Sequence, residues 1–230
     1  MLGFLVKEIS MKIEHIKKNY GKKKVLEDIT FEAKKGECIG ILGGNGSGKS
    51  TLLNILSGIL KSDEGIFEFE GSDFLKNDKI RAKKLGFVPQ NTPLIDELTA
   101  YDNLRLWYSK FDMKKELECG VLKMLGIDGF LKVPVYKMSG GMKKRLAIGC
   151  AVSHKPEILL LDEPSAALDL VCKENIANYL NKYKQNGGII LLATHDILEL
   201  SLCDKLYILK NGVLNPFEYD GDVHRLAGSL

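Results

Sequence analysis

The stretch that most constrains this chain is GILGGNGSGKSTLL, residues 40–53, in which four glycines occupy the six positions 43–48. Glycine loses more conformational freedom on folding than any other residue, so such a cluster indicates backbone turns that other residues adopt poorly. An apolar run over 37–42 precedes the glycines, and a run with helical periodicity over 49–58 follows them. The stretch therefore predicts a buried strand, a tight loop and a helix in direct succession.

This loop has the residues of a phosphate-binding loop, or P-loop, because Gly43, Gly48, Lys49 and Ser50 fit the pattern G-x-x-x-x-G-K-[ST]. Its N–H groups and the positive end of the helix are expected to surround phosphate oxygens. The alternative is a glycine-rich turn with an incidental lysine, which the strand–loop–helix setting disfavours. The predicted nucleotide-binding residues are Gly43, Gly44, Asn45, Gly46, Ser47, Gly48, Lys49, Ser50 and Thr51. Lys49 should reach the β- and γ-phosphates, Thr51 the α-phosphate, and Ser50 should bind Mg²⁺.

Composition excludes several classes of protein. The net charge is +3, which is too small an excess to argue for nucleic acid or an acidic membrane surface. Five cysteines are scattered with no CxxC pair, so we expect reduced, mostly buried thiols and no zinc site. No apolar run approaches the roughly 20 residues of a membrane helix, so any membrane part must come from another chain. Residues 1–10 are interpreted as an extension or an upstream start.

Strand and helix patterns alternate, which predicts an α/β fold with a parallel sheet. Phe67 and Phe69 alternate with Glu68 and Glu70, the pattern of a half-exposed antiparallel strand. The middle third has almost no strand pattern and indicates a helical insertion. The expected strands are 11–17, 28–33, 37–42 and 66–70, and the expected helices are 49–58, several within 99–150, and 173–185.

A second motif, ILLLDEP over 158–164, ends an apolar strand at Asp162. The carboxyl ends of parallel strands are where α/β proteins bind ligands, so the Asp162 carboxylate is placed to bind Mg²⁺. Glu163 follows it and is placed to polarise a water for attack on the γ-phosphate. Alone, an acid–acid–proline sequence often only ends a strand; with the P-loop it predicts a nucleotide hydrolase.

A third motif, MSGGMKKRL over 138–146, is similar to the signature sequence of ATP-binding cassette (ABC) ATPases, and Ser139 lies 23 residues before Asp162. VPQ ending at Gln90, SAALD at 165–169 and ATHD around His195 resemble further motifs of the same family, in the same order. These matches cover residues 11 to about 212. The resemblance implies a P-loop NTPase (RecA-like) core with an antiparallel β subdomain, about 11–91 and 153–212, and an inserted helical subdomain, about 92–152. The chain is then a single domain over 1–230 that ends in a tail, 213–230.

The resemblance also implies roles for further residues. Ser139, Gly140 and Gly141 would bind the γ-phosphate of ATP held by a second protomer, which implies a head-to-tail dimer. Gln90 would contact Mg²⁺ and the attacking water, and His195 would bond the γ-phosphate. Each residue also has a simpler explanation. Ser139 is placed to cap a helix, and His195 lies between Thr194 and Asp196, which can cap one. Gln90 follows a strand and a proline, which by itself indicates no function.

Two more residues carry such alternatives. Asp169 would cross the dimer interface, although it is also placed to cap a helix. Tyr20 would stack on adenine, although it is also placed to pack on a strand.

The chain departs from the family pattern at three positions. Gly44 replaces a frequent proline, Met142 the usual glutamine of the signature, and Leu170 a proline. None of these touches Lys49, Asp162, Glu163 or His195, so we expect hydrolysis to survive.

The resemblance implies ATP hydrolysis that drives transport through separate membrane permease subunits. The active form would be a homodimer or a pair with a paralogous ATPase subunit. It would work at the cytoplasmic face of the cell membrane. Residues 93–111 place Tyr101, Leu104, Trp107, Tyr108 and Phe111 at helical spacing where the family forms its permease groove, although most are expected to be core. ELTAYDNL is closer to export-type ATPases. The alternative is a soluble ABC ATPase that acts on nucleic acid, the ribosome or cofactor assembly. The basic runs 22–24 and 143–145 are the evidence for it, but a solvated turn and a solvated helix face explain these runs as well. No nucleic-acid partner is expected.

Overall fold

The structure is a computed structural model of the 230-residue chain, and it describes residues 10–166, 168–194, 196–222 and 228. Within these residues the strands form a single ten-stranded sheet with the order β5-β4-β1-β2-β10-β9-β3-β8-β7-β6. The strands are β1 (Ser10–Tyr20), β2 (Lys23–Lys34), β3 (Cys38–Leu42), β4 (Glu64–Phe69), β5 (Ser72–Asp73), β6 (Leu85–Val88), β7 (Ile158–Asp162), β8 (Ile189–Ala193), β9 (Lys205–Lys210) and β10 (Val213–Phe217).

Eight α-helices accompany the sheet in the described part of the chain. They are α1 (Lys49–Ser57), α2 (Asp78–Lys84), α3 (Ala100–Arg105), α4 (Lys110–Cys119), α5 (Val121–Met124), α6 (Gly140–Ala151), α7 (Leu170–Gln185) and α8 (Ile197–Leu200). Two 3₁₀ turns, Ile127–Phe130 and Val135–Lys137, lie between α5 and α6. None of these helices combines the length and the hydropathy that crossing a bilayer requires.

The centre of the sheet is parallel: β3 pairs with β8 and β9, and β7 pairs with β6 and β8. All five residues of β3, β7 and β8 are buried. Their sequences, CIGIL, ILLLD and IILLA, are apolar throughout because helices cover both faces of this part of the sheet. One apolar cluster includes residues of α1 and the antiparallel strands, and the other includes residues of α3, α6 and α7.

The antiparallel part consists of β5, β4, β1 and β2. Phe67 and Phe69 of β4 are fully buried, and both rings pack against Phe74. Glu68 and Glu70 face solvent, as the alternation predicted. This part joins the rest of the sheet through one parallel pair, Val213 on β10 with Asp28 on β2.

The α/β class with an antiparallel portion and a helical insertion is confirmed. Over residues 92–152 the structure has helices and turns, with an isolated bridge between Thr99 and Pro134. The segment from 213 onward was expected to be a tail, yet it begins with β10, which lies inside the sheet between β9 and β2. The five cysteines are free thiols, and Cys38, Cys150 and Cys172 are buried, which agrees with the sequence expectation.

Candidate active site

The loop between β3 and α1 has the backbone that its glycines predict. Gly46 and Gly48 have φ angles of 77° and 112°, in the left-handed region that favours glycine. Gly48 is the N-cap of α1 and provides no side-chain cap. The first N–H groups of α1 are therefore directed at the loop without a side chain in front of them, which is the arrangement of an anion site.

Lys49 lies at the centre of this loop. Its side chain is buried, and its ammonium donates hydrogen bonds to the carbonyl oxygens of Gly43 at 2.7 Å and Gly44 at 3.3 Å. These two bonds hold the charge inside the ring of main-chain N–H groups. A phosphate bound by those groups would therefore meet a positive charge already in place.

Asp162 ends β7 beside the start of α1. It is only 4% exposed, and burial raises the pKa of its carboxyl. The charge of Glu163 acts in the same direction, while the nearby hydroxyl of Ser50 and the charges of Lys49 and Lys144 oppose it. The structure thus brings together Ser50 and Asp162, two of the three side chains predicted from the sequence as metal ligands.

Glu163 follows β7 with a φ of 47°, an uncommon left-handed conformation for a residue with a side chain. Its N–H donates to the carbonyl oxygen of Ala193 at 2.9 Å, which fixes the turn to the end of β8. The side-chain amide of Gln90 donates to Glu163 Oε2 at 3.1 Å. Strained backbone of this kind concentrates at functional sites, where the surrounding structure holds it.

A cleft of about 700 Å³ joins the P-loop to Gln90 and Glu163, whereas Asp162 does not line it. It is lined by Tyr20, Lys23, Val25, Asn45, Gly46, Ser47, Gly48, Lys49, Ser50, Thr51, Gln90 and Glu163. Residues predicted from four separate motifs therefore face one space. Lys23 and Val25 were not predicted, and Lys23 could have been found only from its pairing with Tyr20 across the β1–β2 turn.

The signature residues do not line this cleft. Ser139 is the N-cap of α6, where its Oγ accepts from the N–H of Met142 at 3.3 Å, and Ser139 and Gly140 are exposed. Asp169 caps α7 by accepting from the N–H of Cys172 at 2.9 Å. Both capping explanations offered from the sequence therefore hold, and neither prevents a further role toward a second chain.

The segment around His195 is described only at its neighbours, because His195 itself lies outside the described residues. The N–H of Thr194 donates to the carbonyl oxygen of Ile41 at 3.2 Å, and the N–H of Asp196 donates to Thr194 Oγ1 at 2.9 Å. Asp196 also forms an ion pair with Lys173 of α7. The segment after β8 thus leaves the sheet next to the P-loop strand.

One sequence interpretation is wrong. The run 143–145 was explained as a solvated helix face, but Lys144 is 6% exposed. The neighbouring Lys143 and Arg145 remain partly exposed, so the burial concerns Lys144 and not the whole basic run. One of the six basic residues that motivated a nucleic-acid partner is therefore not on the surface.

Comparison with known proteins decides the family. The sequence profile of the ABC transporter family matches residues 26–166, which include the P-loop, Gln90, the signature and the Asp162–Glu163 pair. The chain belongs to the ABC transporter family. Its ATP-binding subunits hydrolyse ATP, and this chain is such an ATPase, with the P-loop NTPase fold.

Relatives and solved structures extend the match over nearly the whole chain. The linearmycin resistance ATP-binding protein LnrL of Bacillus subtilis is 35% identical over 207 residues, which is 88% of this chain and 67% of that protein. The lantibiotic transport ATP-binding protein SrtF of Streptococcus pyogenes is 31% identical and covers 92% of both chains. A dimeric ATP-binding cassette in a post-hydrolysis state, bound to ADP and Pi, has a TM-score of 0.81 at 31% identity, over 92% of this chain and all of that one (100%).

Proposed function

We propose that ATP binds in the cleft with its triphosphate on the P-loop. Residues 43–51 would hold the phosphates through main-chain N–H groups, Lys49 would lie between the β- and γ-phosphates, and Thr51 would contact the α-phosphate. Tyr20 is half exposed at the cleft wall, with the Lys18 ammonium 5.8 Å from the centre of its ring, and would stack on adenine. The observation that carries this proposal is that one cleft joins Tyr20, the loop, Gln90 and Glu163.

The residues around Ser50 and Asp162 fit Mg²⁺. A hydroxyl, an amide and a carboxylate, from Ser50, Gln90 and Asp162, are oxygen donors of the kind that Mg²⁺ takes together with substrate phosphates. No cluster of three or more His, Cys, Asp or Glu side chains suited to a metal occurs in the described residues, which agrees with a site completed by the nucleotide. When bound, Mg²⁺ would neutralise charge on the phosphates. Asp162, held in a buried position, would keep its carboxylate directed at that place.

Glu163 is proposed to orient the attacking water. Gln90 contacts its carboxylate, so the two side chains are already arranged around one point near the mouth of the P-loop. His195 is proposed to bond the γ-phosphate from the end of β8. Phosphoryl transfer requires mainly positioning and charge stabilisation, and these residues would supply both.

We propose that the active form is a head-to-tail dimer, either of two copies or with a paralogous ATPase subunit. The start of α6, where Ser139 and Gly140 are exposed and Gly141 is buried, lies outside the chain's own cleft and would complete the cleft of the partner. Asp169 would cross the same interface. The dimeric arrangement of the similar cassette bound to ADP and Pi supports this, and a two-fold axis would form both sites together.

Transport coupling would use a groove beside the site. The groove has a volume of about 270 Å³ and is lined by Pro89, Pro93, Leu94, Trp107 and Ala147, among others. Leu104 and Tyr108 are core, as expected, whereas Trp107 and Phe111 are 62% and 78% exposed. We propose that a helix of a membrane permease subunit occupies this groove, so that the protein works at the cytoplasmic face of the membrane.

Export is the direction proposed. LnrL and SrtF are named for resistance and for lantibiotic transport, and the ELTAYDNL sequence points the same way. Sulfate import subunits match as well, so the fold itself does not indicate the direction of transport.

The division proposed for the chain is one ABC ATPase domain, with a core of about 11–91 and 153–212 and a helical subdomain of about 92–152.

The test compares the wild type with Glu163→Gln in Mg·ATP. We expect the variant to bind ATP, to form a stable dimer by light scattering, and to lose about 100-fold or more in kcat, the scale of a positioned base. Glu68→Gln, which alters an exposed carboxylate on β4, is the matched control and should leave kcat unchanged. Normal turnover by Glu163→Gln would show that the role given to Glu163 is wrong.

A further inference from the structure

Lys144 is a buried charge next to the site to which the roles proposed above assign nothing. It lies in the second turn of α6, five residues after Ser139, and is 6% exposed. Its neighbour Lys143 reaches outward and pairs with Asp96 at 3.6 Å. A buried ammonium loses hydration that costs several kcal/mol unless other groups replace it, so its contacts are informative.

The ammonium of Lys144 binds the segment that follows β6. It donates hydrogen bonds to the carbonyl oxygens of Pro89 and Gln90, each at 3.1 Å. Both of these acceptors are main-chain atoms, so the contact fixes the backbone of this segment whatever its side chains are. The carboxylates of Asp162, Glu163 and Glu199 are close enough to favour the charged form of Lys144, while burial lowers its pKa.

The contact continues into the site through a second hydrogen bond. The backbone of Gln90 is held by Lys144, and the side-chain amide of Gln90 donates to Glu163 Oε2 at 3.1 Å. One chain of contacts therefore runs from α6, through Lys144 and Gln90, to the carboxylate proposed to orient water. The start of the same helix is the surface proposed to meet the partner's nucleotide.

We propose that Lys144 is a positioning residue, which sets the place of Gln90 and, through it, of Glu163 according to the position of α6. This rests on the roles proposed above for Gln90 and Glu163. A displacement of α6 would move the Pro89–Gln90 carbonyls with the ammonium, and a misplacement of about 1 Å at a reacting group costs up to 100-fold in rate. Neither Lys144 nor Pro89 lines the cleft proposed to hold ATP, so ATP binding should change little.

The experiment measures ATP binding and steady-state hydrolysis by the full chain carrying Lys144→Met or Lys144→Arg. For Lys144→Met we expect kcat to fall by about tenfold or more while the ATP dissociation constant stays within about threefold. Lys144→Arg keeps a buried cation with several donors and should recover kcat to within about threefold of the wild type. Lys143→Met is the matched control and should match the wild type. A wild-type kcat in Lys144→Met would overturn the proposal.

A double-mutant cycle separates positioning from general damage. In a Gln90→Ala background, Lys144→Met should reduce kcat by less than about twofold, because the chain of contacts is already broken. A full additive loss in that background, or equal losses of ATP binding and kcat, would overturn the proposal in favour of a structural role. If Lys144→Met is insoluble, Lys144→Ala takes its place: it also removes both hydrogen bonds, and a kcat equal to that of the wild type would again overturn the proposal.

Glu163→Gln distinguishes this proposal from the one it rests on. Slow turnover by Glu163→Gln with normal turnover by Lys144→Met would refute only the role of Lys144. Normal turnover by Glu163→Gln would refute the assignment of Glu163 and, with it, the end point of the chain of contacts.

Discussion

The hydroxyl of Tyr108 makes a contact whose loss is measurable on its own. Tyr108 follows α3, is 6% exposed, and donates a hydrogen bond to the carbonyl oxygen of Gly149 in α6 at 2.7 Å. The N–H of Ser153, four residues after Gly149, bonds the carbonyl of Cys150 instead. The hydroxyl therefore serves a carbonyl in the last turn of α6 that the helix does not use.

Tyr108→Phe removes this donor and keeps the ring that packs in the core. A buried acceptor left without a partner costs about 1–3 kcal/mol, so the free energy of unfolding should fall by that amount. For a chain of this size each kcal/mol lowers Tm by roughly 2–4 °C, which gives a decrease of about 2–12 °C. Burial raises the pKa of Tyr108 above its usual range, so the hydroxyl remains a donor at every pH suitable for the assay.

The assay is urea unfolding followed by circular dichroism, with the midpoint and the slope fitted separately. The midpoint should fall at unchanged slope, because the surface exposed on unfolding is the same. Tyr136→Phe is the control: its side chain is 60% exposed, so the change should stay within about 0.5 kcal/mol. If Tyr108→Phe were as stable as Tyr136→Phe, the role given to this hydrogen bond would be refuted.

Three further outcomes follow from the structure. Lys49→Ala should abolish ATP binding in a nucleotide titration, because its ammonium supplies the charge inside the loop; retained affinity would place ATP elsewhere. Burial raises the pKa of the Glu199 carboxyl above 4.5, so its ionisation destabilises the fold as pH rises through that raised pKa. Glu199→Gln should therefore unfold at a higher temperature than the wild type at pH 7, with the difference vanishing below pH 4.5. Trp107→Ala should weaken recovery of the permease in detergent pull-downs without lowering the ATPase rate of the isolated chain.

The parts of the site that sequence predicted are those set by local backbone. The P-loop depends on glycines and a lysine within nine residues, and Asp162 ends a strand whose direction the apolar run already indicates. Position at the end of a parallel strand fixes where such a side chain must lie. The α/β class followed from the same alternation of strands and helices.

Contacts between distant segments were not predictable, because no local pattern encodes them. Lys144 reads as one more surface lysine in KKR, and only the packing of α6 against the segment after β6 shows its burial. The hydrogen bond between Gln90 and Glu163 joins residues 73 positions apart. Residues 213–230 were expected to be a tail because the family motifs end near residue 212, and VLNPF, with an asparagine and a proline, has a weak strand pattern. Its place between β2 and β9 depends on pairing with segments distant in sequence.

Under the role proposed for Glu163, its left-handed turn means that activity and folding prefer different residues at this position. A φ of 47° suits glycine or asparagine better than glutamate, which bears a steric cost of about 1–2 kcal/mol there. A library screened only for thermal resistance should therefore accumulate substitutions at this position and return robust but inert chains. Stabilising this protein for use thus requires that position 163 be excluded from the randomised set.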